Sequence, residues 1–311
     1  MTNRASGVLL VQLLPNGGYA LSLSEPADAA TDRLLKHRLP CLQPFLNLAV
    51  AEFTRLGHSQ ARFAVQLHDE DPDQPCFRFD APLEPDGKGP LIPDPYVLGS
   101  QGYANLRRQF AAQPLPPWEQ RLPVAIWRGS STGLHTLRAD NLKENPRYRL
   151  CQASLHHGAW LDARFTAVVQ CPDASAQHVV ATALQHQGLL APRMSPWHLA
   201  LHRWIVEIDG NVNSWGLLWK LLSGSCVIRI TSQRRQWYHH LLEPWVHVVP
   251  VSADLSDLAS VLAWCQSHPQ ACAAIATAGQ RLAAAVISRL KTDQQEALAA
   301  YATKLERICA A

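Results

Sequence analysis

Residues 202–230, "HRWIVEIDGNVNSWGLLWKLLSGSCVIRI", constrain the fold more than any other stretch of this chain. Trp204 to Ile208 is an apolar run of strand length, and the "DGNVNS" behind it is crowded with residues that accept positive φ or cap helices. Leu217, Leu218, Leu221 and Leu222 then recur at helical spacing, with Ser214 as the expected N-cap and Gly224 as the stop. Cys226 to Ile230 reads as the next strand. A strand, turn, helix and strand in this order predict a parallel pair joined by a right-handed crossover, which is the unit of an α/β fold.

Other segments extend the pattern. "LPVAIWRGSSTG", Leu122 to Gly133, is a strand that turns abruptly into Arg128, Gly129 and small hydroxyls. "ARFAVQLHDED" places a strand over Phe63 to Leu67 that ends in acids, and Pro72 to Pro95 is too proline-dense for a helix. "YANLRRQFAAQ" predicts a short helix and "PLPPWEQRLP" a linker. A strand is expected near Val246 to Val251, then a helix with Leu255, Leu258, Leu262 and Cys265 on one face, capped by Ser252 or Asp254. The alanine-rich tail is helical. A chain of 311 residues is long for one core, so two domains are expected: 1–120, 121–278, and C-terminal helices over 279–311 that pack back on the first.

Hydrophobic residues at 47% and charged residues at 17% describe a folded chain rather than a disordered one. The formal charge of +3 comes without any long basic run, which argues against a nucleic-acid groove. The eight cysteines lack CxxC pairs and read as reduced core thiols, with Cys265 and Cys272 two turns apart on one helix. His156–His157 and His239–His240 have no carboxylate or cysteine nearby in sequence, so no metal site is expected. The N-terminal apolar run is broken by Gln12 and ended by Pro15, so no transmembrane segment and a cytoplasmic location are expected.

In an open α/β sheet, ligands sit beyond the carboxyl ends of the strands, where both "WRGSSTG" and "DGNVNSW" fall. Glycine lets backbone approach a ligand, and Arg128 is a planar cation suited to diphosphate oxygens. Neither loop matches GxGxxG or GxxxxGK[ST], so the pair points to an anion site of another kind.

"IWRGSSTG", "IDGNVNSWGLLWKLLSGSCVIRI" and "WYHHLLEPWVHVVPVSADLSDL" together resemble glycosyltransferase family 90, over roughly Ile126 to Leu258. Before Arg121 only "LHDED" and "LIPDPYVLG" are similar to it. The resemblance implies an α/β fold of GT-B type, with two Rossmann-like domains and a nucleotide-sugar in the cleft between them. It further implies inversion at the sugar carbon, no metal and no cofactor beyond the donor, UDP-glucose or UDP-xylose. Carried over by position, the donor residues are Arg128, Gly129, Ser130, Ser131, Arg138, Asp209, Gly210, Ser214 and Trp215. Gly216 stands where the eukaryotic pattern has arginine, and Lys220 one turn later is the candidate replacement charge. The general base is Asp69, with Asp71 as alternate. The acceptor is a glycan or lipid-linked glycan of lipopolysaccharide type, with peripheral membrane contact possible for such a partner. Two readings compete: a non-catalytic relic, and a metal-dependent transferase that uses "DED" as a DxD motif. Among the tryptophans, Trp215 is the one matched to the family, while Trp204, Trp219, Trp237 and Trp264 are expected in the core.

Overall fold

The structure, a computed structural model, describes residues 7–26, 28–69 and 71–309. The chain begins with β1 (Val8–Leu13), β2 (Tyr19–Leu23), the long α1 (Ala29–Arg55), β3 (Arg62–Gln66), β4 (Ala81–Pro82) and α2 (Pro95–Gly99). There follow α3 (Ala104–Ala112), β5 (Leu122–Ser130), α4 (Pro146–His156), β6 (Leu161–Ala167), α5 (Ala174–His186), α6 (Pro196–Leu199), β7 (His202–Glu207), α7 (Leu217–Leu222) and β8 (Cys226–Ile230). The last elements are β9 (Arg234–Arg235), β10 (Val249–Val251), α8 (Leu258–Ser267), α9 (Pro269–Ser288) and α10 (Leu290–Cys309).

These elements form two compact units. One comprises 1–104, 233–240 and 286–311, and the other 105–232 and 241–285. The boundary expected at 120/121 thus falls inside the second unit. Trp197 Nε1 donates to the Gln113 carbonyl, and Arg121 donates to the Ser223 carbonyl and Ser225 Oγ, which ties the expected linker to that unit.

The first unit is not Rossmann-like. Its sheet runs β2-β1-β3, and both pairings are antiparallel. The β1–β2 pairing has a local cause: Leu14 and Gly18 close a tight turn, with Gly17 at φ 80°, and a strand returned that quickly can only be antiparallel. Asp28 caps α1 by accepting the Thr31 N–H at 2.7 Å. Pro40 and Pro44 each remove one backbone donor from α1. Burial of Leu42, Phe45, Leu46, Ala49 and Phe53 along one face outweighs that loss. Phe77 gathers the rings of Phe45, Phe63 and Tyr301 at centroid distances of 5.2, 5.5 and 4.8 Å, so α10 shares this core.

Asp94 caps α2, accepting the N–H groups of Tyr96 and Val97 at 2.9 and 3.1 Å. Burial pushes its carboxyl up to about 7. A carboxyl raised above its unfolded value binds its proton more tightly in the folded state. Stability therefore falls as pH rises between about 4 and 7. Asp94→Asn keeps the capping oxygen without the charge. Thermal melts should place the variant above wild type near pH ~8 and remove that advantage near pH ~4; an unchanged difference across the range would disprove the titration.

The second unit holds a five-stranded, wholly parallel sheet in the order β10-β8-β7-β5-β6. The parallel pair predicted from residues 202–230 is present, with Trp204 opposite Cys226. The strand expected near Val246 begins only at Val249, because Trp245 adopts φ 65° and its N–H closes a turn on the Val248 carbonyl. Neither Ser252 nor Asp254 caps α8; Asp257 occupies the cap position, and its carboxylate accepts the Ser252 N–H. Pro269 starts a new helix, so Cys265 and Cys272 lie on α8 and α9 rather than on one helix. Both are buried free thiols, as are Cys76, Cys151 and Cys226, whereas Cys41 and Cys171 are half-buried. α9 is long and apolar enough, at mean hydropathy 1.3, to cross a membrane by length and composition, which the sequence expectation overlooked. Cys272, Ile275 and Ala276 on this helix belong to the core of the second unit.

Candidate functional site

From β5 the chain runs outward to β6 and returns to β7 on the other side of β5. The strand order therefore reverses between β5 and β7, and in open parallel sheets the ligand crevice forms beyond the carboxyl ends at that reversal. The two loops singled out in the sequence follow these two strands.

One residue that sequence reasoning missed ties the loops together. Arg147, in the first turn of α4, donates through Nε to the Asp209 carbonyl at 2.9 Å and through Nη2 to the Ile208 carbonyl at 3.2 Å. Its Nη1 reaches the Ser130 carbonyl and Thr132 Oγ1 at 3.0 and 2.6 Å, and the guanidinium lies over the Trp127 ring. Burial lowers its pKa to about 10. Asn145 caps α4 by accepting the N–H groups of Arg147 and Tyr148, and its amide donates to the Ser131 carbonyl. The signal was available: "ENPRYRL" is an N-cap asparagine, a proline at the first helical position, and then the arginine. Gly210 is required by the close approach, since a Cβ there would stand 2.6 Å from Thr132 Oγ1 and 3.0 Å from Arg147 Nη2. At Gly129 a Cβ would meet the Trp127 ring at 2.5 Å.

The loop after β5 opens on a recess of about 400 Å³, within the range of small-molecule sites. Arg128, Gly129, Ser130, Thr166, Arg193 and Trp219 are among its lining residues. Arg128 is already engaged: its Nη2 pairs with the Asp162 carboxylate at 2.5 Å, and its Nη1 donates to the carbonyls of Trp127 and Asp162. The buried Arg128 Nε–H has no partner among the described residues. Arg193, not anticipated from the sequence, is exposed and forms no ion pair among the described residues. Trp219, expected in the core, is half-buried and walls the recess. Ser131 faces inward, exchanging hydrogen bonds with both backbone groups of Val169. Arg138 is exposed and does not line the recess.

After β7, Asp209 accepts the Ser214 N–H at 3.2 Å and the Ser232 hydroxyl at 2.5 Å, and Asn213 donates to the same hydroxyl. Lys220 is buried in an ion pair with Glu207, whose carboxyl is raised by burial and which also bonds Ser214. The charge meant to replace the missing arginine is therefore already met. Ser214 does not cap α7, whose cap position is Gly216 without a side-chain bond; its hydroxyl accepts the Gly216 N–H at 3.4 Å. A Cβ at Gly216 would stand 3.0 Å from Trp219 Nε1. Trp215 is half-buried.

In the first unit, Asp69 pairs with Arg38 at 2.5 Å. Asp71 pairs with both Arg78 and Arg234, which hold its carboxyl below the usual range, chiefly through the Arg234 bond. Glu70 lies outside the described residues. Each described carboxylate of "DED" thus faces arginine.

The family profile of glycosyl transferase family 90 matches residues 102–303, well over half of the chain. The chain belongs to glycosyl transferase family 90. The family 90 match includes both loops, the recess and Arg147, and it leaves Asp69 and Asp71 outside. This family 90 chain is 28% identical over 209 residues to uncharacterized protein 179R of Invertebrate iridescent virus 6, covering 61% of this chain and 16% of that protein. It is 27% identical over 168 residues to protein O-glucosyltransferase 2 of Danio rerio, covering 54% and 30% respectively. The chain thus spans less than a third of the length of these two relatives. Among solved structures it is similar to Anabaena HepE in complex with UDP-glucose, at 14% identity and TM-score 0.41, over 64% of this chain and 52% of that one.

Proposed function

We propose that this chain is an inverting, metal-independent glycosyltransferase that takes a UDP-sugar as donor on its parallel-sheet unit. The observation that carries the reading is the topological reversal between β5 and β7. It falls on the two loops for which family resemblance implies donor binding, and the recess opens beside one of them. The sugar is a hexose or pentose, and the O-glucosyltransferase name of the Danio rerio relative favours glucose. The acceptor is a hydroxyl of a glycan or lipid-linked glycan of lipopolysaccharide type on the cytoplasmic side.

In this mechanism the Asp69 carboxylate takes the proton of the acceptor hydroxyl as its oxygen attacks the anomeric carbon. The bond from that carbon to the diphosphate oxygen breaks, and UDP leaves with the electron pair. Arg193 and the unpaired Nε–H of Arg128 offer positive charge to the diphosphate, and the indole of Trp219 offers an apolar wall. Asp209, Ser214 and Trp215 on the loop after β7 complete the donor side, while Lys220 acts from within by holding Glu207.

Titration calorimetry with UDP and release of UDP from UDP-glucose test the reading. Arg193→Ala should weaken UDP by about 1.5 to 3 kcal/mol, the scale of a hydrogen bond to a charged group, and activity should survive EDTA. UDP binding without any turnover would support the non-catalytic relic. Activity lost to EDTA and restored by manganese would move the chemistry to the acids at 69–71.

A further inference from the structure

We infer that Arg38 is a positioning residue that aims the Asp69 carboxylate, an inference that rests on the assignment of Asp69 as the base. Thr31 and Arg38 stand about two turns apart on α1 and so share a face of that helix. That face grips the turn after β3. Thr31 Oγ1 lies 3.3 Å from His68 Nε2. The Arg38 guanidinium donates to the Leu67 carbonyl and to Asp69 Oδ1. One planar fork thus brackets residue 68, holding the carbonyl before it and the carboxylate after it, which fixes the plane of the carboxylate.

The arrangement leaves Asp69 half engaged. Oδ1 is held by Arg38, Oδ2 takes no bond among the described residues, and the side chain is 30% exposed while that of Arg38 is 12% exposed. A base needs such a division, with one oxygen fixed so that the other can meet a proton in a set direction. Asp71 offers no equivalent, because Oδ1 accepts from Arg78 and Arg234 and Oδ2 accepts from Arg234. Among the described residues, Asp94 at the start of α2, the helix that packs on α1, also acts electrostatically on Arg38. That carboxylate is occupied by its own backbone donors.

The test is a double-mutant cycle read as UDP release from UDP-glucose. Arg38→Ala should lower kcat about 10- to 100-fold, the cost of a base misplaced by about an ångström, with KM for UDP-glucose changed less than about twofold. Arg38→Lys should recover part of the loss, because it restores the charge without the fork. In the Asp69→Asn background, Arg38→Ala should lower kcat no further, because the effect on kcat is transmitted through Asp69. A structural role would instead reduce both backgrounds equally, and that result, or a wild-type kcat in Arg38→Ala, overturns the inference. If Arg38→Ala does not fold, Arg38→Lys carries the same cycle. Wild-type turnover in Asp69→Asn would sink the base assignment and this inference with it. A severe Asp69→Asn defect with additive Arg38 losses would sink the inference alone.

Discussion

Asp69→Asn is expected to lower UDP release from UDP-glucose about 10²- to 10⁴-fold, the usual contribution of a general base, and to leave UDP affinity within about twofold. The substitution keeps the size of the side chain and an oxygen for Arg38 while removing the basic lone pair. Asp71→Asn should act differently. It loosens an ion-pair network in which Arg78 is fully buried, so its cost should fall on the melting temperature more than on turnover. The paired lowering of the Asp71 carboxyl also means that this support is lost as pH falls through the acid range. Kinetics and calorimetry on the two variants decide between them. If Asp71→Asn is the severe kinetic defect and Asp69→Asn the mild one, the base is Asp71.

The second large effect is expected at Arg147. Arg147→Ala should destabilise the protein by about 3 to 5 kcal/mol, the range for breaking a buried charged network. All four of its hydrogen bonds go to carbonyls or a hydroxyl, so its removal strands the backbone oxygens of Ser130, Ile208 and Asp209 without their donor. It also frees the two loops from one another, and UDP binding should be lost even under conditions where the variant remains folded. Arg147→Lys should fare little better, since one ammonium cannot span contacts that diverge along a guanidinium fork. Urea denaturation measures the first effect and calorimetry the second. A variant with wild-type stability would show that other groups hold the loops.

The elements that surround the recess could be read because their residues repeat at plain intervals. β8 was read residue for residue, β5 and β7 were recognised as strands, and α7 announced itself through four leucines. The failures have physical causes. α1 carries two prolines, and only the packing of its aromatic face overrides them. The resemblance implies a Rossmann-like first domain, whereas "NGG" at 16–18 signals the hairpin that forms. At the site, sequence shows which charges exist but not which are already met. Lys220 finds Glu207 on the neighbouring strand and Arg128 finds Asp162, and neither partner is marked by spacing. Arg147 was passed over for the converse reason. An arginine inside a helix reads as surface, and the converging carbonyls of Ser130, Ile208 and Asp209 make it interior.

The segmented make-up of the first unit bears on the order in which a nascent chain can fold. Residues 1–104 lack their aromatic partner Tyr301 and the strand Arg234–Arg235 until those segments leave the ribosome. At ordinary rates of synthesis, roughly 5 to 20 residues per second, that wait is on the order of ten seconds or more. The parallel sheet, by contrast, has all its strands once Val251 has emerged. Within this chain, the unit that holds residues 1–104 is therefore completed after the parallel sheet. During that interval Phe45, Phe63 and Phe77 are exposed to chaperones and proteases, so damage to α10 should reduce cellular abundance more than it alters the chemistry at the recess.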